Sequence, residues 1–381
     1  MTQSPHVISE LYAALDVDER QLVDFVRSRG GTPLVDGSSA TFVFVGQAEE
    51  VILRHWMDTF PPIPPFRRVE GTDVWLLTMG LPEAARVEYK LAIRRHGRRR
   101  LYLDPMNHSR ADEPAGLNTL ACGSAYRRPL WSRRDPAVPA GRLETIEVES
   151  EVFGESRTIG VYRPSIVAEA PLPLLVVHDG SDYRDYAALT AVLDNLIAAG
   201  DIPPLAAALL DPDERTVEYA ADRRHAGHLV TEVIPAVAAV VDIDADRMFA
   251  LGASLGGVAS LHASWMYPGT FAGLILQSGS FVTALGGPFH RGPVFKPVVA
   301  FLHEMGAAPG SLPGVMHLSC GQYDGLHADC LAMAHQLSDG GVDVGWEDAL
   351  DGHHWENWRD RLRSGLVHVL AAERWPSITP R

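Results

Sequence analysis

The hydrophobic pattern of the N-terminal part predicts one helix followed by several short strands. Apolar residues recur at three- to four-residue spacings over residues 6–29, which is typical of an amphipathic helix, and Gly30-Gly31 then ends the pattern. Farther on, the apolar residues fall into short runs separated by turn residues. These runs lie at residues 41–45, 51–56, 73–77 and 86–93. Short strands at this spacing favour a β-sandwich.

A different pattern follows in the C-terminal part, where wholly apolar runs alternate with helical segments. Residues 173–177 form a continuous apolar run, as expected of a parallel strand that is buried on both faces. Further apolar runs at residues 205–210, 247–251, 271–276 and 315–320 alternate with helical patterns at residues 186–199, 225–241 and 358–372. This alternation predicts an α/β fold with a doubly wound, mostly parallel sheet.

The two patterns are separated by a segment that resembles a linker. Residues 127–142 are rich in proline and arginine and have no apolar periodicity. We therefore expect two domains: residues 1–135, with a helix and a β-sandwich, and residues 136–381, with the α/β sheet and the catalytic residues.

The amino-acid composition limits the kinds of binding partner and the cellular compartment that we expect. The chain has 381 residues and a formal net charge of −15, which disfavours binding to nucleic acid or to an anionic membrane. Three cysteines give no disulfide framework and fit a reducing compartment. The N-terminus lacks a signal-peptide pattern, and no apolar run could span a bilayer. The expected location is therefore the cytoplasm, and homo-oligomerisation is left open.

The sequence Gly252-Ala253-Ser254-Leu255-Gly256 is the strongest chemical signal in the chain. It lies between a predicted strand and a predicted helix rich in small residues, which is the context of a nucleophile elbow. The glycines are needed because bulky side chains would clash at such a sharp turn. Ser254 is therefore the candidate nucleophile of a serine hydrolase.

A serine nucleophile needs a base and an acid, which in this architecture follow it in the order acid, then histidine. His353, in a loop before the last helix, is the candidate base, and the adjacent His354 is the alternative. Asp324 follows the run that ends at residue 320 and is the candidate acid, whereas Asp329 is its competitor. The acid would hold the imidazole tautomer and stabilise the imidazolium.

The expected oxyanion hole combines two backbone donors. One is the N–H of Leu255, directly after the nucleophile, and the other comes from the loop that contains Gly180 and Ser181. Neither a phosphate loop, nor a dinucleotide-binding glycine pattern, nor an H-E-x-x-H zinc motif is found. We therefore expect no cofactor and no catalytic metal.

With these motifs in place, the chain resembles the enterochelin (ferric enterobactin) esterase family over nearly its whole length. The resemblance is carried by Gly71-Thr72-Asp73-Val74-Trp75, His178-Asp179-Gly180, the Ser254 motif, Gln277-Ser278-Gly279-Ser280-Phe281 and the run from Asp351 to Arg359. It implies an immunoglobulin-like N-terminal domain and an α/β-hydrolase domain. It also implies a serine esterase that forms an acyl-enzyme and hydrolyses a catecholate siderophore trilactone inside the cell to release iron.

The chain departs from the family pattern at two places. It has Asp351-Gly352-His353-His354-Trp355 where the family commonly has Gly-Gly-His-Asp-Trp, and Asp324 where the acid is often glutamate. These departures suggest a divergent subgroup, in which the reaction is better supported than the substrate.

A ferric tris-catecholate is strongly anionic, so its binding by an acidic protein requires local cations. Arg184 and Arg359 are candidate cations and Trp355 a candidate partner for a catechol ring, although a structural role is equally compatible with the sequence. The alternative functions are an esterase or acyltransferase of the same fold that acts on another acyl ester, and a non-catalytic binding protein.

Overall fold

The computed structural model describes residues 6–16, 18–166, 170–287 and 291–371, which form two compact units. The first unit extends to Arg127 and also includes Ala349–His354, whereas the second comprises Arg128–Asp348 and the chain from Trp355 onward. The return of residues 349–354 to the first unit was not predicted, because we assigned the whole chain beyond residue 135 to one domain. Among the described residues, no helix is long and apolar enough to cross a membrane.

The first unit begins with two helices rather than the single predicted one. α1 (His6–Leu15) and α2 (Glu19–Ser28) are separate because Asp18 caps α2, its carboxylate accepting the N–H of Gln21 at 2.7 Å. The strands of this unit are β1 (Leu34–Asp36), β2 (Ser39–Val45), β3 (Glu50–His55), β4 (Arg67–Arg68), β5 (Val74–Gly80), β6 (Arg86–Arg95), β7 (Arg98–Tyr102), β8 (Arg110–Ala111) and β9 (Asn118–Cys122).

These strands form two antiparallel sheets. One has the order β1-β2-β5-β4, and the other has the order β3-β6-β9-β8 with β7 paired to β6. The four strands predicted from the short apolar runs are confirmed as β2, β3, β5 and β6. The inward side chains of β2 and β6 are almost wholly buried, which explains why those runs are visible in the sequence.

The second unit is built on an eight-stranded sheet of order β10-β11-β13-β12-β14-β15-β16-β17. Its strands are β10 (Arg142–Ser150), β11 (Glu155–Arg163), β12 (Leu172–His178), β13 (Ala206–Leu210), β14 (Ile243–Ala253), β15 (Gly273–Gln277), β16 (Val315–Gly321) and β17 (Asp343–Ala349). β11 pairs antiparallel with both β10 and β13. The pairs β13–β12, β12–β14, β14–β15 and β15–β16 are parallel. The predicted α/β sheet is confirmed.

The helices of the second unit follow the strands along the chain. They are α3 (Gly180–Asp185), α4 (Leu189–Ala199), α5 (Arg215–Glu218), α6 (Arg223–His228), α7 (Ile234–Val240), α8 (Leu255–Met266), α9 (Lys296–Ala307), α10 (His327–Asp339) and α11 (Trp355–Leu370). A π-helical segment, Leu229–Val233, joins α6 to α7. The sequence predicts a helix over residues 225–241 that is interrupted by Pro235. The structure divides it at this π-helical segment, and Pro235 stands in the first turn of α7, directly after the segment.

Helices cover both faces of this sheet. Alternate residues of β12 point to opposite faces of the sheet. On one face, Leu174 and Val176 pack in the cluster that contains α8. On the other face, Leu175 and Val177 pack in the cluster that contains α4 and α11. Burying one such side chain stabilises the fold by roughly 1.5–3 kcal/mol. This packing explains the uninterrupted apolar runs, and it fixes the carboxyl ends of β12, β14, β15 and β16, where the candidate site residues follow.

Candidate active site

Ser254 occupies a strained turn between β14 and α8. Its φ of 56° and ψ of −120° lie in a backbone region that residues with a side chain rarely adopt. The serine is partly exposed, whereas Leu255 and Gly256 behind it are buried. The predicted arrangement of strand, sharp turn and helix is therefore confirmed, and it presents the Ser254 hydroxyl at the end of a parallel strand.

The glycines of this motif are required by close backbone contacts. A Cβ atom on Gly252 would lie 2.2 Å from the carbonyl oxygen of Gly256, which no side-chain movement could relieve. A Cβ on Gly256 would lie 3.2 Å from the Cβ of His178 and 3.3 Å from Oδ2 of Asp179. The motif thus brings the first turn of α8 against both β14 and the loop that follows β12.

Backbone hydrogen bonds hold Ser254 to the turn after β15. The Ser254 N–H donates to the Gln277 carbonyl at 2.9 Å, and the Ser254 carbonyl accepts the Ser280 N–H at 3.0 Å. The Ser280 hydroxyl lies 3.2 Å from the Ser254 hydroxyl. In the sequence, Ser280 belongs only to the motifs of the family resemblance, and no role at the site was predicted for it.

The loop after β12 is fixed by an arginine that the sequence analysis missed. Asp179 has a φ of 56°, and both of its carboxylate oxygens accept hydrogen bonds from Arg215 at 2.7 Å. Arg215 also donates to the carbonyl of Ala253 at 3.3 Å. One guanidinium therefore links this loop to the residue before Ser254, and a bidentate pair of this kind restricts geometry as well as adding energy.

The two residues predicted to supply an oxyanion donor from this loop differ in their contacts. Gly180 begins α3 and is buried, and a Cβ there would lie 2.4 Å from the Cα of Leu209. The glycine is thus required by packing against β13. The Ser181 N–H already donates to the Asp211 carboxylate at 3.0 Å, which argues against Ser181 as an oxyanion donor.

The two candidate acids lie in different surroundings. Asp324 follows β16 and is 2% exposed, and its Oδ1 accepts the N–H of Leu326 at 2.9 Å. Asp329 lies on α10 and forms a short ion pair with Arg291, which also donates to the Gly325 carbonyl at 3.1 Å. Burial raises the pKa of Asp329, and Arg291 opposes that shift. Asp329 is therefore already engaged by a structural guanidinium.

The two candidate bases belong to the segment that joins the first unit. His353 is partly exposed. His354 is buried, with Nδ1 3.0 Å from Oε1 of Glu88 and Nε2 2.8 Å from Oδ1 of Asp351. Burial alone would lower the pKa of His354, but the two carboxylates outweigh it and raise the pKa to about 9. His354 is thus protonated near neutral pH and is a poor proton acceptor.

Two of the three residues predicted to bind substrate are core residues. Trp355 is 5% exposed and packs edge-on against Tyr183 and Trp358, with ring centroids 5.0 and 4.7 Å apart. Arg359 is 1% exposed and pairs with Glu356 at 2.5 Å and Asp360 at 2.8 Å. These predictions were wrong, because the first turns of α11 are buried and a buried guanidinium must be paired.

Arg184 remains near the surface but is not an unpaired cation. Its guanidinium is bound by Asp185, the next residue, at 2.6 and 2.7 Å. The pairing raises the pKa of Arg184 and lowers that of Asp185. The pair is formally neutral, so Arg184 offers little net attraction for an anionic ligand.

Comparisons with known proteins agree with this architecture. The family model described as "Putative esterase" matches residues 150–369. The iron(III) enterobactin esterase of Dickeya dadantii is 29% identical over 250 residues, which cover 56% of this chain and 57% of that protein. The iron(III) enterobactin esterase of Escherichia coli strain K12 is 24% identical over 344 residues, covering 80% of this chain and 81% of that protein.

Solved structures show the same fold. An enterobactin esterase from Shigella flexneri, crystallised in the presence of enterobactin, has a TM-score of 0.73 at 21% identity and covers 91% of this chain and 97% of its own. The ferric enterobactin esterase of Salmonella typhimurium has a TM-score of 0.73 at 20% identity, with coverage of 91% and 98%. At these identities the similarity establishes the fold alone.

Proposed function

Since the chain belongs to the esterase family, we propose that it is a serine ester hydrolase with Ser254 as nucleophile, His353 as base and Asp324 as acid. The observation that carries the proposal is the strained backbone of Ser254 at the end of a parallel strand, with a φ of 56°. Strain of this kind persists only where the surrounding structure enforces it, and it is concentrated at functional sites.

The reaction follows from the chemistry of these groups. His353 would accept the hydroxyl proton as Ser254 attacks the ester carbonyl, which forms a tetrahedral intermediate. His353 would then give the proton to the departing alkoxide, leaving an acyl-enzyme. Water, deprotonated by His353, would attack the acyl group, and the collapse of the second intermediate would release the acid and restore Ser254. Asp324 would orient the imidazole and stabilise its charged form.

The oxyanion would be stabilised by the N–H groups of Leu255 and Gly180. Leu255 is the first residue of α8, and the first N–H groups of a helix have no partner within the helix. The helix dipole adds a partial positive charge at the same end. Ser181 is left out of this proposal because its N–H is bound by Asp211.

Two contrasts support the choice of acid and base. Asp329 is paired with Arg291, so Asp324 is the better partner for a histidine. His354 is paired with two carboxylates, so His353 is the better proton acceptor. In each contrast the rejected residue is held by an ion pair, which is partly buried for Asp329 and buried for His354, and neutralising or moving the residue would cost the stability of that pair.

We propose a catecholate siderophore ester as the substrate, since the relatives and the structural neighbours are enterobactin esterases. Hydrolysis in the cytoplasm would release the iron. Arg359 is buried in ion pairs and Arg184 is paired with Asp185. We therefore expect the iron-free trilactone to be cleaved faster than the more highly charged ferric complex. The first unit would be an immunoglobulin-like accessory domain.

The test combines covalent labelling with turnover. Wild type, Ser254→Ala and Ser280→Ala are treated with a fluorophosphonate, and the labelled peptide is identified by mass spectrometry. Label on Ser254 that survives in Ser280→Ala supports the nucleophile assignment. Label on Ser280, or none in folded protein, refutes it. Hydrolysis of the trilactone, with and without iron, and of a short nitrophenyl ester then separates the mechanism from the substrate.

Adjacent variants test the other two roles. Asp324→Asn and His353→Gln should each reduce the rate by roughly 10²–10⁴-fold, the usual contribution of an acid–base group. Asp329→Asn and His354→Gln, corrected for the folded fraction, should reduce it far less. The reverse result within either pair would transfer the role to the other residue.

A further inference from the structure

A second cluster of ionisable groups lies wholly within the first unit. Among the described residues, Glu88, Glu113 and His354 bring one ligand atom each within 4.8 Å of one another. They line a cavity of about 280 Å³ that also contains Trp56 and Asn118. The cavity gives an ion a route to atoms that are otherwise enclosed, since Glu88 is 3% and His354 7% exposed.

We propose that Glu88, Glu113 and His354 bind a divalent transition-metal ion. The ligand atoms on Glu88 and His354 are buried and face each other without a well-aligned hydrogen bond. Oε1 of Glu88 and Nδ1 of His354 lie 3.0 Å apart, yet neither has a hydrogen-bond partner of acceptable geometry. Two atoms bound at about 2.1 Å to one tetrahedral ion would be about 3.4 Å apart, so a small outward movement of this pair would accommodate the ion.

Neighbouring polar groups orient these two ligands, as is common around a bound metal ion. Oδ1 of Asp351 lies 2.8 Å from Nε2 of His354, although this contact too is not an aligned hydrogen bond. A small rotation of the ring would let Asp351 accept the Nε2 proton and leave the Nδ1 lone pair on the side of Glu88. Asp351 is itself held by Arg86 and by the Gly352 N–H at 3.0 Å. Carboxylates of this kind commonly orient metal-binding histidines.

Glu88 is oriented in the same way. Its Oε2 accepts a hydrogen bond from the side-chain amide of Asn118 at 3.0 Å, which leaves Oε1 for the ion. The cation Lys90 lines the same cavity, but its ammonium lies 5.8 Å from the centre of the Trp56 ring, in a cation–π position. Glu113 is only partly buried and completes the set from the rim of the cavity.

The donor set selects the class of metal. One imidazole and two carboxylates suit Zn²⁺, with Mn²⁺ or Fe²⁺ weaker, and they do not suit the soft ions that require thiolates. The charge also balances, because a divalent cation neutralises the two glutamates.

The experiment measures Zn²⁺ binding to the full chain after treatment with a chelator, by competition with a chromophoric indicator. It is performed in the Ser254→Ala background, so that the result does not depend on esterase activity. The Ser254→Ala protein, in which Glu88, Glu113 and His354 are unchanged, should bind one Zn²⁺ per chain. Glu113→Gln, at a partly exposed position that should tolerate the change, should weaken binding at least 10-fold. Asp112→Asn, at the exposed neighbouring position, is the matched control and should bind normally.

Two further readouts decide between a built site and adventitious binding. Zn²⁺ should raise the melting temperature of the protein with Glu113 and not that of Glu113→Gln. Co²⁺ should give a visible ligand-field spectrum that His354→Gln abolishes. Equal affinity in all variants, or no stoichiometric binding, would overturn the proposal and leave the cluster as a buried ion-pair network.

Discussion

Buried histidines behave in opposite ways in the two units. In the second unit, burial, together with neighbouring cationic or imidazole groups, lowers the pKa of His262 and of His317 to about 4. In the first unit, burial acts in the same direction on His354, but Glu88 and Asp351 reverse it and raise the pKa to about 9. The contrast shows that two carboxylates in contact with a buried ring can reverse the effect of burial on its pKa, whereas the single carboxylate of Glu232 beside His228 does not.

The Ser254 turn and the 349–354 segment are likewise stabilised by different kinds of interaction. The Ser254 turn is held mainly by backbone contacts and glycine packing, with one ion pair, Arg215–Asp179, beside it. Burial lowers the pKa of the neighbouring His178 imidazole well below its usual value. The 349–354 segment is held by buried charges, with Arg86, Asp351, His354 and Glu88 in succession. The Ser254 turn should therefore be sensitive to steric changes, and the 349–354 segment to changes of charge.

The largest expected effect is the pH dependence of folding. Unfolded histidine has a pKa near 6.5, above the folded values of His262 and His317, so the unfolded chain binds more protons between pH 6.5 and 4. Their contribution to stability should be lost as the pH falls through that window, by several kcal/mol in sum. Urea unfolding at a series of pH values measures it.

His354 should give the opposite dependence of folding stability on pH. Its folded pKa of about 9 lies above the unfolded value, so its contribution is complete below about pH 6.5 and is lost as the pH rises to 9. His354→Gln should flatten the alkaline part of the profile and leave the acid part unchanged. An alkaline slope that persists in this variant would show that the carboxylates do not hold a proton on His354.

The next largest effect should come from removing one buried charge. Asp351→Asn leaves Arg86, which is 1% exposed, without this carboxylate, and breaking a buried pair typically costs about 3–5 kcal/mol. Denaturant titration would measure the loss, with the exposed change Asp112→Asn as control. A cost below about 1 kcal/mol, which is typical of a surface pair, would contradict the charge-based account of this segment.

A steric change at the elbow should have a smaller effect on stability and a large effect on activity. Gly252→Ala forces a methyl group against the Gly256 carbonyl, with an expected cost of about 1–3 kcal/mol and roughly a 100-fold loss of esterase rate. Gly306→Ala is the control, because the nearest atom to its new methyl is 3.8 Å away. An active Gly252→Ala enzyme would show that the turn tolerates displacement.

The smallest effect should come from a neutral hydrogen bond. The Ser260 hydroxyl lies 2.9 Å from Nδ1 of His178, and Ser260→Ala should cost about 1 kcal/mol by loss of this contact. Thermal denaturation at pH 7 would measure it. A loss as large as that of Asp351→Asn would mean that His178 is charged, contrary to the low pKa of its buried ring.

The comparison also explains what the sequence could predict. The elbow was predictable because its signal is local: a strand, two spaced glycines, a serine and a helix lie within a few residues. The parallel strands were visible because both of their faces are apolar. In contrast, Arg215 holds a residue 36 positions away, and Arg86 pairs with one 265 positions away. Ion pairs between residues so far apart leave no periodic pattern in the sequence and could not be predicted from it.

The wrong predictions have a related cause. Arg359 and Trp355 were assigned to substrate because of their chemical type and their place beside His353. The last helix, however, begins at Trp355, three residues before the predicted start at 358, and its first turns are buried. Whether a residue at a helix start is exposed depends on what packs against it, which is a tertiary property.

The discontinuity of the first unit has a consequence for how the chain is made and inherited. Arg86 and Glu88 are translated early, yet Asp351 and His354, with which they pair, leave the ribosome only after residues 128–348 of the second unit have been synthesised. An N-terminal fragment would retain buried charges without these partners. Recombination at the linker would therefore separate Arg86 and Glu88 from these partners unless the distant segment moved with them.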